Sequence, residues 1–231
     1  MYKFNSEYSK LASQFPATDL QDAKPSPVVL ITNAVPQQVT RETYANVLKA
    51  RGGTGNFQRA TVYGPDGISS ISAEHYRKTD LFNAKFVYNN VSALAKLTKQ
   101  VEASALATWG VEIEAISPWW VAGYGVGDKF DSHCDGAIRL TDGSYKAVEN
   151  RVVSALLYIN TKDDSLLGWG YSGGALSFPG ITDDYGVPLT INPKEGDLVI
   201  FPSNWNYCHG VSEVTAGYRV CLTNFFRLKA G

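Results

Sequence analysis

Long apolar runs are the first thing missing from this sequence. No stretch of the 231 residues approaches the ~20 consecutive apolar positions of a membrane span, and the opening MYKFNSEYSK lacks the charged-then-apolar order of a secretory leader. The chain therefore reads as soluble and cytoplasmic, with no membrane partner. An excess of either charge is also missing: 21 Lys and Arg face 22 acidic residues, a net charge of -1. That balance offers no electrostatic footprint for a polyanion, so nucleic acid is not an expected partner. Cysteine is scarce and odd in number, with Cys134, Cys208 and Cys221 alone. This excludes a secreted disulfide framework and leaves three small buried hydrophobes as the ordinary reading. Histidine is equally scarce, at three residues, so any chemistry that needs imidazole must draw on His75, His133 and His209.

What the chain does have is enough length for one core, 13 Tyr and 5 Trp, and a change of texture near residue 112. One domain is expected over 1–231, made of an extension at 1–26, a helical support region at 27–111 and a β-rich core at 112–231. The extension is polar and reads as wrapped over the domain or loosely ordered. PVVLITNAV predicts a strand. PQQVTRETYANVLKARGG predicts a helix with Pro36 in its first turn and Gly52 and Gly53 beyond its end. ATVYGPDGISSIS predicts two short strands about a Gly-Pro-Asp-Gly turn, and NVSALAKLTKQVEASALATWG a second helix with Leu94, Leu97, Val101 and Ala105 on one face. After residue 112 come IEAISPWWVAGYG, KFDSHCDG, RVVSALLYIN, GALSFPG, PLTINP, DLVIFPS and YRVCLTNFFRL. Many short strands between turn residues predict an antiparallel sandwich or jelly roll, with the longest loops at 136–150 and 161–173.

The chemistry concentrates in GYGVGDKFDSHCDG, residues 123–136. In a strand, positions i and i+2 share a face, so His133 and Asp135 present an imidazole and a carboxylate side by side. His209, after DLVIFPS, is a better third ligand than His75 in the polar AEHYRK. Two imidazoles and one carboxylate leave open positions and suit non-haem Fe(II). A closed zinc site would call on Cys134 or Cys208, and strand alternation turns Cys134 away from the His133 face. Ten residues after His209 stands Arg219, sharing a strand face with Cys221 and Thr223. A guanidinium facing a barrel interior needs an anion, and its fork matches a carboxylate. Ser154, Leu156 and Tyr158 share a face of a neighbouring strand, where the Tyr158 hydroxyl adds a donor to the same pocket.

These residues resemble the prolyl 4-hydroxylase branch of the Fe(II)/2-oxoglutarate dioxygenases. Tyr124, Gly127, Phe130, His133 and Asp135 fill the family pattern Y-x-x-G-x-x-[YF]-x-x-H-x-D, and Arg151, Tyr158-Ile159-Asn160, Gly173-Gly174, Phe178-Pro179, Pro193, Gly196, His209 and Arg219 follow in the family's order. The resemblance runs from about Trp119 to Phe226. It implies a double-stranded β-helix, the jelly roll of this superfamily, supported by the amino-terminal helices. It also implies His133, Asp135 and His209 as iron ligands and Arg219 as partner of the 2-oxoglutarate C5 carboxylate. Tyr158, Thr223, Tyr124 and Leu156 line that pocket by the same carry-over. The cofactors implied are Fe(II), 2-oxoglutarate as co-substrate, O2 and ascorbate, with succinate and CO2 released as an unactivated C–H is hydroxylated.

Asp135 favours hydroxylation, because related halogenases lack that carboxylate. Phe225 stands where nucleic-acid demethylases of the superfamily carry a second arginine. The substrate is expected to be amino-acid-like, a prolyl residue or a free amino acid. A natural-product small molecule is the alternative, and an inactive jelly-roll binding module is the non-enzymatic one. Arg151, Trp119, Trp120 and Trp205 are the expected substrate contacts at the mouth, with Arg151 pairing either a substrate carboxylate or Glu149. The sequence leaves the oligomeric state open.

Overall fold

Covering both faces of one sheet is the problem this chain solves, and the way it does so places the site. The computed structural model describes residues 2–12, 28–53, 57–63, 70, 71, 73, 75–82, 91–140, 142, 144–163 and 169–230. Much of the expected extension (13–27) and the Gly-Pro-Asp-Gly turn lie outside the described residues.

The first half supplies β1 (Lys3–Phe4), α1 (Ser6–Ala12), β2 (Val29–Ile31), α2 (Gln37–Gly52), β3 (Phe57–Arg59), β4 (Val62–Tyr63), β5 (Ser70–Ile71), β6 (Arg77–Lys78), β7 (Asp80–Phe82) and α3 (Val91–Trp109). The second half begins with β8 (Ile113–Ala115), β9 (Trp120–Tyr124), β10 (Lys129–His133), β11 (Ala137–Arg139), β12 (Tyr145–Ala147) and β13 (Val153–Tyr158). It continues through β14 (Tyr171–Gly173), β15 (Leu176–Thr182), β16 (Pro188–Ile191), β17 (Leu198–Pro202), a 3-10 turn at Trp205–Tyr207, β18 (His209–Val211), β19 (Val214–Gly217) and β20 (Arg219–Leu228).

An eight-stranded antiparallel sheet runs β2-β17-β13-β20-β9-β7-β3, with β8 also on β20. A six-stranded sheet runs β1-β15-β18-β10-β6, with β16 also on β15. Alternation along the central strands of the larger sheet divides two cores. Val153, Ala155, Leu157, Leu198, Ile200, Val220 and Leu222 meet Val47 of α2 and Leu97, Val101 and Ala105 of α3 on the outer face. Leu156, Tyr158, Val199, Phe201, Cys221, Ala122 and Tyr124 face inward, onto Leu176, Phe178, Ile181 and Val211 of the smaller sheet. The two helices are thus the lid of one sheet, and the jelly-roll interior lies on its other side.

The helices form where expected. Gly110, at φ +72°, ends α3 in the left-handed conformation that glycine adopts without strain. Pro36 sits at the cap of α2 rather than inside its first turn, and Gly52 is the last helical residue. Within 27–111 the expected strand β2 joins the larger sheet, as do β3 and β7, while β6 joins the smaller. Two other expectations change. The run 113–125 is two strands, broken at Ser117-Pro118, both paired with β20. Residues 136–150 are no open loop but hold the hairpin β11–β12. Of the extension, β1 pairs with β15 and so wraps onto the smaller sheet. No described helix is long and apolar enough to cross a membrane.

Candidate metal centre and its anion pocket

His133 ends β10 and lies directly across the ladder from His209, the first residue of β18. A register shift between Phe130 and His133 re-aims the strand end. The two rings come to 4.4 Å between centroids, and Phe130 stacks on His133 at 3.6 Å. Each Nδ1 meets a backbone carbonyl, Asp131 O at 2.9 Å and Tyr207 O at 3.1 Å. A carbonyl only accepts, so each Nδ1 carries a proton. Both Nε2 atoms point at Asp135, at 3.4 Å from Oδ1 and 3.5 Å from Oδ2.

The three ligand atoms lie within 4.8 Å of one another, and no other such group occurs among the described residues. Asp135 is not on a strand: β10 stops at His133, and the carboxylate rides on the bend that follows. It reaches the histidine face all the same, because the Ser154 hydroxyl donates to Oδ2 at 2.7 Å.

Electrostatics favour ligation. Burial, with His133 beside it, pushes the His209 imidazole down to about 4 against the pull of Asp135. His209 is therefore neutral at neutral pH. Burial would raise Asp135, but His209, His133 and the Ser154 hydroxyl outweigh it and hold the carboxyl well below the usual range. The thiols take no part. Cys134 donates to Ser203 O at 3.0 Å, and Cys208 pairs with Ser132 Oγ at 3.3 Å. Burial pushes Cys208 up to about 11 and raises Cys134 as well.

Arg219 opens β20 at the other end of the same interior. It has no exposed surface, yet its described contacts include no carboxylate. Its Nη2 donates to Tyr158 Oη at 3.0 Å and its Nη1 meets Cys221 Sγ at 3.5 Å, while Nε has no partner. Its carbon Cζ lies 4.7 Å from the Tyr124 ring centroid and 5.0 Å from that of Tyr158. Tyr171 completes the cage within hydrogen-bonding reach. Gly174, at φ +58°, makes room, since a Cβ there would sit 2.9 Å from Arg219 Cδ. Asn160 fixes the backbone on both sides of the arginine: its Nδ2 donates to Tyr218 O at 2.9 Å, and its Oδ1 accepts the Val220 N–H at 2.9 Å.

Register joins the two ends. Ser154, beside Asp135, pairs with Phe225; Leu156 pairs with Thr223; Tyr158, beside Arg219, pairs with Cys221. The interior face thus runs from carboxylate and imidazoles, past Leu156 and Thr223, to a guanidinium. From Ser154 to Tyr158 is about 13 Å of strand at ~3.3 Å per residue, a gap that the long Arg219 side chain and the two imidazoles narrow from either end. The donor set fits Fe(II) with positions left open, and a buried guanidinium with no counterion among the described residues fits a carboxylate. A small diacid satisfies both ends at once.

The expected substrate contacts fare unevenly. Trp120 is 48% exposed and alternates onto the interior face with Ala122 and Tyr124, which puts it at the mouth. Trp119 does not reach the mouth. It is in the outer core, where its Nε1 donates to Thr98 of α3 at 3.0 Å, because alternation sends neighbours to opposite faces. Trp205 lies on the 3-10 turn, an element packed on α1 and β15, and is half-buried there. Arg151 is held by Glu149, through Nε at 3.1 Å and Nη2 at 2.7 Å, and its Cζ lies 3.8 Å from the Phe225 ring centroid. Of its two expected partners, the loop acid is the one in place. Tyr171 and Ser203 were not expected in the site. Tyr171 stands on β14, whose return to the barrel no local sequence pattern announces.

A jelly roll with a His-Asp-His cluster and an interior arginine is the arrangement of a non-haem iron oxygenase of the diacid-dependent kind, and comparison with known proteins points the same way. Residues 119–227 match the 2OG-Fe(II) oxygenase superfamily. A PKHD-type hydroxylase of Rhizorhabdus wittichii is 28% identical over 72% of this chain and 76% of its own length. Another, from Burkholderia thailandensis, is 36% identical over 46% of this chain and 40% of its own. In fold the chain is similar to a prolyl hydroxylase from Trichoplax adhaerens solved with a hypoxia inducible factor peptide, with TM-score 0.67, 17% identity and coverage of 96% and 90% of the two chains. A Pseudomonas putida prolyl-4-hydroxylase gives TM-score 0.59 at 18% identity, covering 96% of this chain and all of that one. These findings support a 2OG-Fe(II) oxygenase of the prolyl hydroxylase-like type, a hydroxylase that uses Fe(II), 2-oxoglutarate and O2.

Proposed function

We propose that this chain hydroxylates an unactivated C–H of an amino-acid-like substrate, a prolyl residue or a free amino acid, and releases succinate and CO2. The observation that carries the reading is the single interior face with the His133-Asp135-His209 donors at one end and, at the other, Arg219, which meets no described carboxylate. Fe(II) with bound 2-oxoglutarate supplies the oxidising power when present; the protein binds, orients and shields.

In this reading His133 and His209 aim their Nε2 atoms at the metal, His209 is already neutral and Asp135 already ionised, so loading costs those two little deprotonation. Arg219 and Tyr158 receive the distal carboxylate of the diacid, with Tyr124 and Tyr171 excluding water around it. Leu156 and Thr223 wall the stretch between, which fixes the direction in which the diacid lies. The mouth carries Trp120 and the Arg151–Phe225 stack as substrate contacts. Support for a prolyl or related substrate comes from the hydroxylases above, one of which was solved with a peptide. The 1–231 span would act as one catalytic unit, because strands from its first half complete both sheets.

The test is succinate formation from 2-oxoglutarate by purified protein with Fe(II) and ascorbate, in air and without oxygen, against pools of amino acids and prolyl peptides. Oxygen-dependent succinate that rises with one pool, and that is lost in His133→Ala, is the expected result. Succinate unaffected by every pool, with a natural-product extract raising it instead, would replace the substrate class. Full turnover in His133→Ala would remove the ligand assignment.

A further inference from the structure

Asp135 lies beyond the strand that carries His133, so something other than the ladder must hold it. The end of β17 supplies that hold. Ser203 O accepts the Gly136 N–H at 2.8 Å and the Cys134 thiol at 3.0 Å, which pins the residues on either side of Asp135. The Ser203 hydroxyl meets the Ser154 hydroxyl at 2.7 Å, and Ser154 in turn donates to Asp135 Oδ2 at 2.7 Å. Ser154 and Ser203 are 0% and 2% exposed, so bulk water does not compete for these bonds. A side chain at Gly136 would run into Ser203 O and Arg151 O, so the bend can approach β17 this closely only with glycine there.

The direction of the relay follows from the acceptor. An ionised carboxylate only accepts, so Ser154 must donate to Asp135, and its oxygen is then free to accept from Ser203. Each donated proton polarises the next hydroxyl. Oδ2 is also the oxygen 3.5 Å from His209 Nε2. Occupying one of its lone pairs therefore sets the rotation of the carboxyl group relative to both imidazoles.

Resting on the iron-ligand reading, we propose that Ser203 and Ser154 form a buried hydroxyl relay that positions the Asp135 carboxylate as a metal ligand, with Ser203 acting through Ser154. They are positioning residues and touch neither metal nor substrate. The relay gives the centre a property that the three ligands alone lack: a carboxylate locked in one rotamer before metal arrives, so that metal affinity depends on two serines, one on β13 and one on the bend after β17.

The experiment is a double-mutant cycle read by Co(II) titration, following the visible absorption of the bound ion, with thermal melting of each metal-free protein alongside. Loss of an outer hydrogen bond to a ligand weakens metal binding by about 10- to 100-fold. Ser154→Ala is expected to fall in that range and Ser154→Thr, which keeps the hydroxyl, to restore most of it. Ser203→Ala is expected to weaken Co(II) severalfold in the wild-type background and not at all in the Ser154→Ala background. Equal losses from Ser203→Ala in both backgrounds, or a lowered melting temperature with unchanged Co(II) affinity, would overturn the relay. Asp135→Ala is the control that separates the two claims. If it binds Co(II) as tightly as wild type, the ligand assignment fails and the relay falls with it; if it loses binding while the serine variants do not, only the relay fails.

Discussion

Replacing Arg219 by methionine separates what the guanidinium does for the fold from what it does for the co-substrate. Arg219 is wholly buried, its described contacts are tyrosine rings, the hydroxyls of Tyr158 and Tyr171 and one thiol, and its Nε is unpaired. A buried charge without a counterion costs several kcal/mol after relaxation, and apolar replacement of buried ionic groups is often neutral or stabilising by ~1–4 kcal/mol. In a chain of 231 residues each kcal/mol moves the melting temperature by about 2–4 °C. The metal-free Arg219→Met protein should therefore melt with or above wild type.

Its response to ligand should be the reverse. A ligand held at 100 times its dissociation constant adds about 2.7 kcal/mol, or roughly 5–10 °C here by the same slope. Wild type with Co(II) and saturating 2-oxoglutarate should show that shift, and Arg219→Met should show only the part due to Co(II). Differential scanning fluorimetry of both proteins, with and without each ligand, makes the measurement. A full 2-oxoglutarate shift in Arg219→Met would refute the anion-pocket reasoning. So would a metal-free variant melting well below wild type, because the arginine would then be earning stability from contacts that do not include a bound diacid.

Other expectations follow from the same geometry. His209 is held at about 4 in the folded protein, with burial the largest cause, against an ordinary value of about 6.5 when unfolded. Between those values the unfolded chain binds more protons, so this contribution is complete above pH ~6.5 and is lost as the pH falls through ~4, about 3 kcal/mol in all. Melting temperatures of metal-free wild type and His209→Gln across that range check it: the variant should lose part of the acid sensitivity, and identical slopes would contradict it. Gly174→Ala should raise the 2-oxoglutarate requirement at least tenfold while leaving Co(II) affinity near wild type, since its Cβ meets Arg219 Cδ and its φ is +58°. An unchanged requirement in a 2-oxoglutarate titration would show that the arginine adjusts freely. Cys134 and Cys208 are buried with raised thiols, so a chromogenic disulfide reagent should titrate them only after denaturation, and fast reaction of the native protein would mean that the outer face of the metal site opens.

The candidate ligands were legible because their signal is local. His133 and Asp135 are two residues apart, His209 is the better placed of two remaining histidines, and Arg219 follows at a spacing that keeps it on an inward face. The helices were legible for the same reason: α2 and α3 bury the residues that their periodicity selects. The substrate contacts were not. Adjacent tryptophans looked alike in sequence, yet alternation exposes Trp120 and buries Trp119 against α3, and which of the pair faces outward depends on the register of β9 on β20.

Sequence by itself determined the kinds of donor available, their order along the chain and the periodicities that make two helices and a β-rich half. Tertiary structure decided everything that depends on distant segments meeting. It brought β17 against the bend at Gly136 so that two serines hold Asp135, and returned Tyr171 to the Arg219 cage. It also left that guanidinium facing no described carboxylate. The physical reason is that backbone preference and alternation act over a few residues, whereas a buried charge takes its meaning from what stands opposite, and the long-range pairing of strands sets that.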